Sequence, residues 1–256
     1  MRVLIVIPAR LGSWRFPDKP LTMINGMPMI EHVYRRSLMT SGIDDVVMAV
    51  CEEKVLKACE AFGAKSVMTS TDQRTATDRV AEAARIMNYI SNDDIVVNVQ
   101  GDEPVVPPPV IEMTVELLKK NKDARCANMV EVIHNLDDLN NHHRIKVVIS
   151  QNNHLIYLTR QPIPATVFDI NKRAVFYRQT CVMAFRGDFL QQCTNLAQTP
   201  LELIEGIDML RLVENDIPII SGIVPYETQP VDTPDDVPQV VAMLKNDQWF
   251  KTGYKR

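Results

Sequence analysis

Short apolar runs alternate along this chain with segments of helical period, and that alternation limits the folds open to it. Strand-length runs occur at Val3–Ile7, Asp45–Val50, Ser66–Met68, Ile95–Val99, Lys146–Ile149 and Ile219–Val224. Between them the apolar residues recur at three and four. Glu52–Phe62 places Val55, Leu56, Cys59 and Phe62 on one stripe and stops at Gly63. Met29–Met39, Thr77–Tyr89 and Pro109–Lys120 read the same way. Strands alternating with helices predict an α/β fold: a mostly parallel sheet with helices on both faces and ligands at the carboxyl ends of the strands. Past about residue 130 the pattern loosens. Leu155–Thr159 and Thr180–Phe185 read as strands, and Asp188–Leu196, Pro200–Asn215 and Val237–Leu244 as helices.

The 256 residues, 46% hydrophobic, suit one domain with an ample core. A net charge of -4 without a basic block argues against nucleic acid as a partner. No apolar run approaches the length of a membrane span, and Val3–Ile7 is too short for a leader. The five cysteines form no C-x-x-C pair, which predicts reduced thiols and a cytoplasmic location.

The first strand runs into Pro8-Ala9-Arg10 and the loop Leu11-Gly12-Ser13-Trp14-Arg15-Phe16-Pro17-Asp18, followed by Lys19-Pro20-Leu21. Three cations, Arg10, Arg15 and Lys19, thus reach one loop at a strand end. Gly12 and Ser13 let the backbone approach phosphate and offer amide donors. The arginines can fork onto phosphate oxygens, and Lys19 can act as a point charge on a leaving group. No Walker loop is present. Without a ligand, the three would be solvated surface cations. Trp14 either stacks on a ligand or covers the loop.

The order P-A-R, Gly/Ser loop, R-x-P-x-K-P-L resembles the signature of CTP-using sugar nucleotidyltransferases. The likeness continues through Asn25-Gly26-Met27-Pro28, Val99-Gln100-Gly101-Asp102-Glu103-Pro104, Ile145-Lys146-Val147-Val148, Arg160-Gln161-Pro162-Ile163-Pro164 and Val231-Asp232-Thr233-Pro234-Asp235. On these residues the chain resembles the CMP-Kdo synthetases, the 3-deoxy-manno-octulosonate cytidylyltransferases. That resemblance implies a three-layer Rossmann-like nucleotidyltransferase fold with a smaller mixed subdomain that makes a homodimer. Residues 1–130 and 217–256 would form the nucleotide-binding core of a single domain. Residues 131–216 would form the sugar-binding and dimerisation part.

The resemblance also implies roles. Ala9, Arg10, Gly12, Ser13, Arg15, Lys19 and Gln100 would bind the nucleotide. Asp102 and Asp232 would hold Mg2+, with Lys19, Asp102 and Asp232 as the catalytic set. Gln73, Arg79, Gln100, Arg160, Gln179 and Asp208 would face the sugar. Arg160, with Arg79 and Lys146 behind it, would pair with the sugar carboxylate. Read without the likeness, Gly101-Asp102-Glu103-Pro104 is a surface turn, and Asp232 or Thr233 caps a helix. The pair His142-His143, beside Asn140 and Asn141, reads as a solvated loop.

Departures from the family pattern cluster. Where the family has T-R-x-D-H-x-S-G-T-[DE]-R, this chain has Ser70 for arginine, Gln73 for histidine and Thr75-Ala76 for Ser-Gly. Gln179 stands for a second histidine, and where the family has L-E-Q-L-R this chain has Ile207-Asp208-Met209-Leu210-Arg211, so that Met209 replaces a glutamine and Asp208 a glutamate. Pro230 replaces glycine ahead of Val231. The substituted positions mostly face the sugar in the family. Either the acceptor is altered, such as 8-amino-Kdo, or these positions have drifted on plain Kdo. The implied reaction gives a CMP-sugar and pyrophosphate from CTP, for lipopolysaccharide or a related glycan. A CMP-nonulosonate synthetase and a non-catalytic CTP-binding regulator are the alternatives.

Overall fold

Strand β1 (Val3–Ala9) enters the fold first in the computed structural model, which describes residues 1–12, 16–165 and 175–254. A 3-10 turn, Lys19–Leu21, leads to the small hairpin β2 (Met23–Ile24) and β3 (Met27–Pro28). Then come α1 (Met29–Leu38), β4 (Asp45–Val50), α2 (Glu53–Ala61), β5 (Ser66–Met68) and α3 (Ala76–Ile86). The middle holds β6 (Ile95–Val99), α4 (Pro108–Lys120), β7 (Cys126–Val132), α5 (Leu136–Asn140), β8 (Lys146–Ile149) and β9 (Leu155–Thr159). The chain continues with β10 (Tyr177–Arg186), α6 (Gly187–Thr194), α7 (Pro200–Glu205), α8 (Leu210–Val213), β11 (Ile220–Val224), α9 (Val237–Asn246) and α10 (Gln248–Lys251).

The main sheet runs β11, β7, β10, β6, β1, β4, β5, with β8 and β9 joined to it off β10. The pairs among β6, β1, β4 and β5 are parallel, as is β7 with β11. Strand β10 is antiparallel to both β6 and β7 and so sits in the middle of the sheet. The α/β architecture read from the sequence is therefore the observed one, with one antiparallel strand inserted in it.

Both faces of β1 are buried, so the strand is apolar throughout and does not alternate. Val3, Ile5 and Ile7 pack on one side with Ile30, Val33 and Ile111. Leu4 and Val6 pack on the other with Val80, Ala84, Phe185 and Leu190. A smaller cluster of Ile24, Met29, Val105, Val231, Val240 and Leu244 pins α9 and the segment before it against the β2–β3 hairpin. That cluster fixes where Asp232 emerges.

Two expectations fail locally. The helix read over Pro200–Asn215 is two helices, because Gly206 adopts φ 64 and ends α7. The break carries Asp208 onto Thr77 of α3, whose hydroxyl donates to the Asp208 carboxylate at 2.5 Å. Strand β7 is missing from the sequence reading, since Asn128 and Glu131 interrupt its apolar run although both are buried.

Candidate active site

The site lies where β1 and β6 end. Gly101 presses against β1 so closely that a Cβ there would stand 2.7 Å from the Pro8 carbonyl oxygen. Only glycine lets the Gln100–Asp102 turn approach the loop after Ala9 in this way. The Gln100 N–H donates to the Cys181 carbonyl (3.1 Å), and Glu103 N–H to the Gln100 carbonyl (3.2 Å), so the turn is held from both sides. Cys181 belongs to a stretch of β10 whose register with β7 shifts between Gln179 and Met183. Such irregularities re-aim side chains beside functional sites.

Asp102 and the segment leading to Asp232 meet here, far apart in sequence. The Val231 N–H donates to the Asp102 carbonyl at 2.9 Å. Lys19 completes the junction: its ammonium reaches Asp102 Oδ2 at 2.7 Å and the Val231 carbonyl at 2.9 Å. The other carboxylate oxygen, Asp102 Oδ1, is buried and has no hydrogen-bond partner among the described residues. Thr233 and Asp236 form a reciprocal cap at the turn Pro234–Asp236, and the Asp236 carboxylate also accepts the Asp232 N–H at 2.9 Å. Thr233 is thus the capping residue, and Asp232 lines the cavity. Next to Asp102, burial first and then its charged neighbour push Glu103 up to about 8.

Two connected cavities open at this junction. The first, about 320 Å³, is lined by Ala9, Arg10, Gly12, Gly101 and Asp102. The second, about 460 Å³, extends past Asp102 and Asp232 toward Arg160, Gln179 and Asp208. Arg10, Lys19, Gln100 and Asp102 border both. The site residues read from the sequence are mostly brought together here. Ser13, Trp14 and Arg15 lie outside the described residues.

Some of them are placed differently. Gln73 reaches neither cavity: its amide donates to Glu82 at 2.7 Å, on an outer groove beside α3. Arg79 borders the first cavity instead of the sugar side, and its guanidinium is committed to Thr69 and the Ser70 carbonyl. Arg160 lines the second cavity but donates to the carbonyls of Glu205 (2.7 Å), His142 (3.0 Å) and Gly206 (3.3 Å). Lys146 is fully buried and donates to the Asn141 and Arg144 carbonyls, both at 2.8 Å. Burial pulls it down to about 8.

The sequence reading missed an ion-paired floor under the second cavity. Arg178 on β10 and Glu131 on β7 are register partners and pair at 2.5 Å. Glu131 also accepts from the Thr228 amide and hydroxyl, both at 2.9 Å. The available signal was a lone charge, Glu131, within a mostly apolar run; its partner on another strand is not announced by the sequence.

Among the described residues no group of three or more His, Cys, Asp or Glu side chains is arranged to hold a metal. No described helix is long and apolar enough to cross a membrane.

A cytidylyltransferase family model matches residues 4–219. The 3-deoxy-manno-octulosonate cytidylyltransferase of Syntrophobacter fumaroxidans is 37% identical over 247 residues, which is 96% of this chain and 98% of that one. The 8-amino-3,8-dideoxy-manno-octulosonate cytidylyltransferase of Shewanella pealeana is 36% identical, covering 93% of this chain and 96% of its own. Among solved structures, a CMP:2-keto-3-deoxy-manno-octonic acid synthetase complexed with CTP superposes with a TM-score of 0.86. It is 33% identical, covering 96% of this chain and 99% of its own. The chain is a nucleotidyltransferase and belongs to the cytidylyltransferase family.

Proposed function

We propose that this enzyme transfers the cytidylyl group of CTP to a 2-keto-3-deoxy sugar acid of the Kdo class, Kdo itself or its 8-amino form. The anomeric hydroxyl would attack the α-phosphorus. The bond from that phosphorus to the bridging oxygen breaks, pyrophosphate leaves with the electron pair, and the hydroxyl proton passes to water. The observation that carries this reading is the junction of Asp102, Val231 and Lys19 at the boundary of the two cavities. It fits a nucleotide on the β1 side and an acceptor on the β10 side, with the reacting atoms between.

Asp102 and Asp232 fit a hard divalent cation. The orphaned Asp102 Oδ1 is an oxygen donor with no other partner among the described residues, and magnesium takes one or two carboxylates while sharing its other positions with phosphate and water. Bound Mg2+ would neutralise charge on the α-phosphate. Lys19 would hold Asp102 in place and, with Arg10, draw charge from the departing pyrophosphate. Gln100 would orient nucleotide or sugar at the boundary, while Gln179 and Asp208 would contact acceptor hydroxyls. Positioning and electrostatics carry such a reaction, and no dedicated base is required.

We carry the homodimer expectation into this proposal. On α7, Leu203 and Ile204 are 63% and 78% exposed, and Leu203 borders the second cavity, so pairing there would shelter the acceptor.

Pyrophosphate release tests the reading, with CTP, UTP, GTP and ATP each offered against Kdo, 8-amino-Kdo and a nonulosonic acid. Release with CTP and a Kdo-class acid is expected. Release with the nonulosonate alone would select the sialic-type reaction. CTP binding without release in any combination would make the chain a regulator.

A further inference from the structure

The second cavity contains a cation that the roles given so far leave unused. Arg144, just ahead of β8, is 6% exposed and lines this cavity, and it does not border the first. Its Nε and Nη1 are buried and have no hydrogen-bond partner among the described residues. Leaving charged donors unpaired inside a protein is costly, and the cost falls when an anion arrives. The neighbouring guanidiniums differ. Arg178 is committed to Glu131, Asp138 and the Thr228 carbonyl. Arg160 is spent on three backbone carbonyls.

The backbone around Arg144 is fixed as well. Its N–H donates to the Asn141 carbonyl at 3.1 Å, and its own carbonyl accepts from the buried Lys146 ammonium at 2.8 Å. The guanidinium is thus held on a rigid strand entrance. A planar fork of N–H donors matches a carboxylate in geometry. Its separation from the nucleotide cradle makes the acceptor the ligand that meets it.

We infer that Arg144 is the residue that grips the carboxylate of the acceptor and selects sugar acids over neutral sugars. The inference rests on the proposed cytidylyl transfer and assigns Arg144 the role that the sequence reading gave to Arg160.

The test pairs a change in the protein with a change in the ligand. Wild type, Arg144→Gln and Arg144→Lys are assayed with CTP and either Kdo or its carboxamide. In wild type the acid is expected to be preferred by roughly 10- to 100-fold in kcat/KM, the range for a hydrogen-bonded charge. In Arg144→Gln that preference should collapse toward unity while KM for CTP stays within about twofold. Arg144→Lys should fall between, since it keeps charge and loses the fork.

An Arg144→Gln enzyme that still prefers the acid as strongly as wild type overturns the inference. Were Arg144 only a structural residue of the cavity wall, the variant would lose stability and keep its discrimination. Equal use of acid and carboxamide by wild type overturns it without any variant, so a misfolded substitution does not shield it. If wild type releases no pyrophosphate with any acceptor, the parent reading falls and takes this one with it. Retained discrimination in Arg144→Gln removes this one alone.

Discussion

Gly101→Ala should damage the enzyme at one defined contact. The added Cβ would lie 2.7 Å from the Pro8 carbonyl oxygen and 3.7 Å from Ile7 Cγ2. An ordinary carbon-to-oxygen contact needs about 3.3 Å, so roughly 0.6 Å must be found. Pro8 cannot yield it easily, because β1 is paired with β4 on one flank and β6 on the other. The turn bearing Asp102 moves off Pro8 instead, which shifts Asp102 relative to Lys19 and Val231. Overpacking of this kind costs about 1–3 kcal/mol. In a chain of this size that lowers Tm by about 2–10 °C. Displacing Asp102 by a fraction of an ångström should lower kcat/KM on the order of 100-fold, since positioning dominates the reaction. Gly12→Ala is the control: its Cβ meets no atom of the described residues within 4 Å, so Tm should hold. Thermal melts and steady-state pyrophosphate release measure both. Wild-type Tm and kcat/KM in Gly101→Ala would refute the close-approach argument.

Lys146→Met should alter the pH dependence of stability. The folded-state pKa of Lys146, about 8, is below the ordinary value of 10.5, so the unfolded chain binds more protons between the two and wild-type stability gains from this group as pH rises across that window. The stability difference between wild type and variant should change by about 3 kcal/mol from pH 8 to 10.5, read by urea unfolding. A constant difference would mean that Lys146 titrates normally. Arg211→Met should cost about 3–5 kcal/mol by the same assay. Arg211 donates to both oxygens of the buried Glu202 (2.9 and 2.6 Å) and to Asp78 (3.2 Å), tying α8 to α7 and α3, and its loss strands a buried carboxylate. A loss below 1 kcal/mol would show that the network contributes little.

Much of this architecture is visible in the chain because its central strands β1, β4 and β6 are buried on both faces and its outer strands keep short apolar runs. Asp45–Val50, Ser66–Met68, Ile95–Val99, Lys146–Ile149 and Leu155–Thr159 carry the boundaries expected from apolar runs. β7 escaped for a physical reason: Glu131 is a charge in a core strand, tolerable only because Arg178 faces it on β10, and a pairing across strands is invisible to a linear reading. The split between α7 and α8 depends on one backbone angle at Gly206.

Site residues followed the same division. Those at strand ends, Arg10, Gln100 and Asp102, border the cavities because chain direction alone takes them there. Those on helices or long loops depended on tertiary partners. Gln73 turned to Glu82, and Arg160 to the carbonyls ending α7. Arg144 passed unnoticed beside the solvated His142-His143 pair, since its burial comes from packing that the local sequence does not announce.

The account depends most on Asp102 and Asp232 acting as one cation site with CTP. Manganese binding, followed by electron paramagnetic resonance with CTP present, tests it in wild type, Asp102→Asn and Asp232→Asn. Each substitution should abolish the CTP-dependent bound signal while the fold and Tm persist. Wild-type manganese binding in either variant would contradict the shared site.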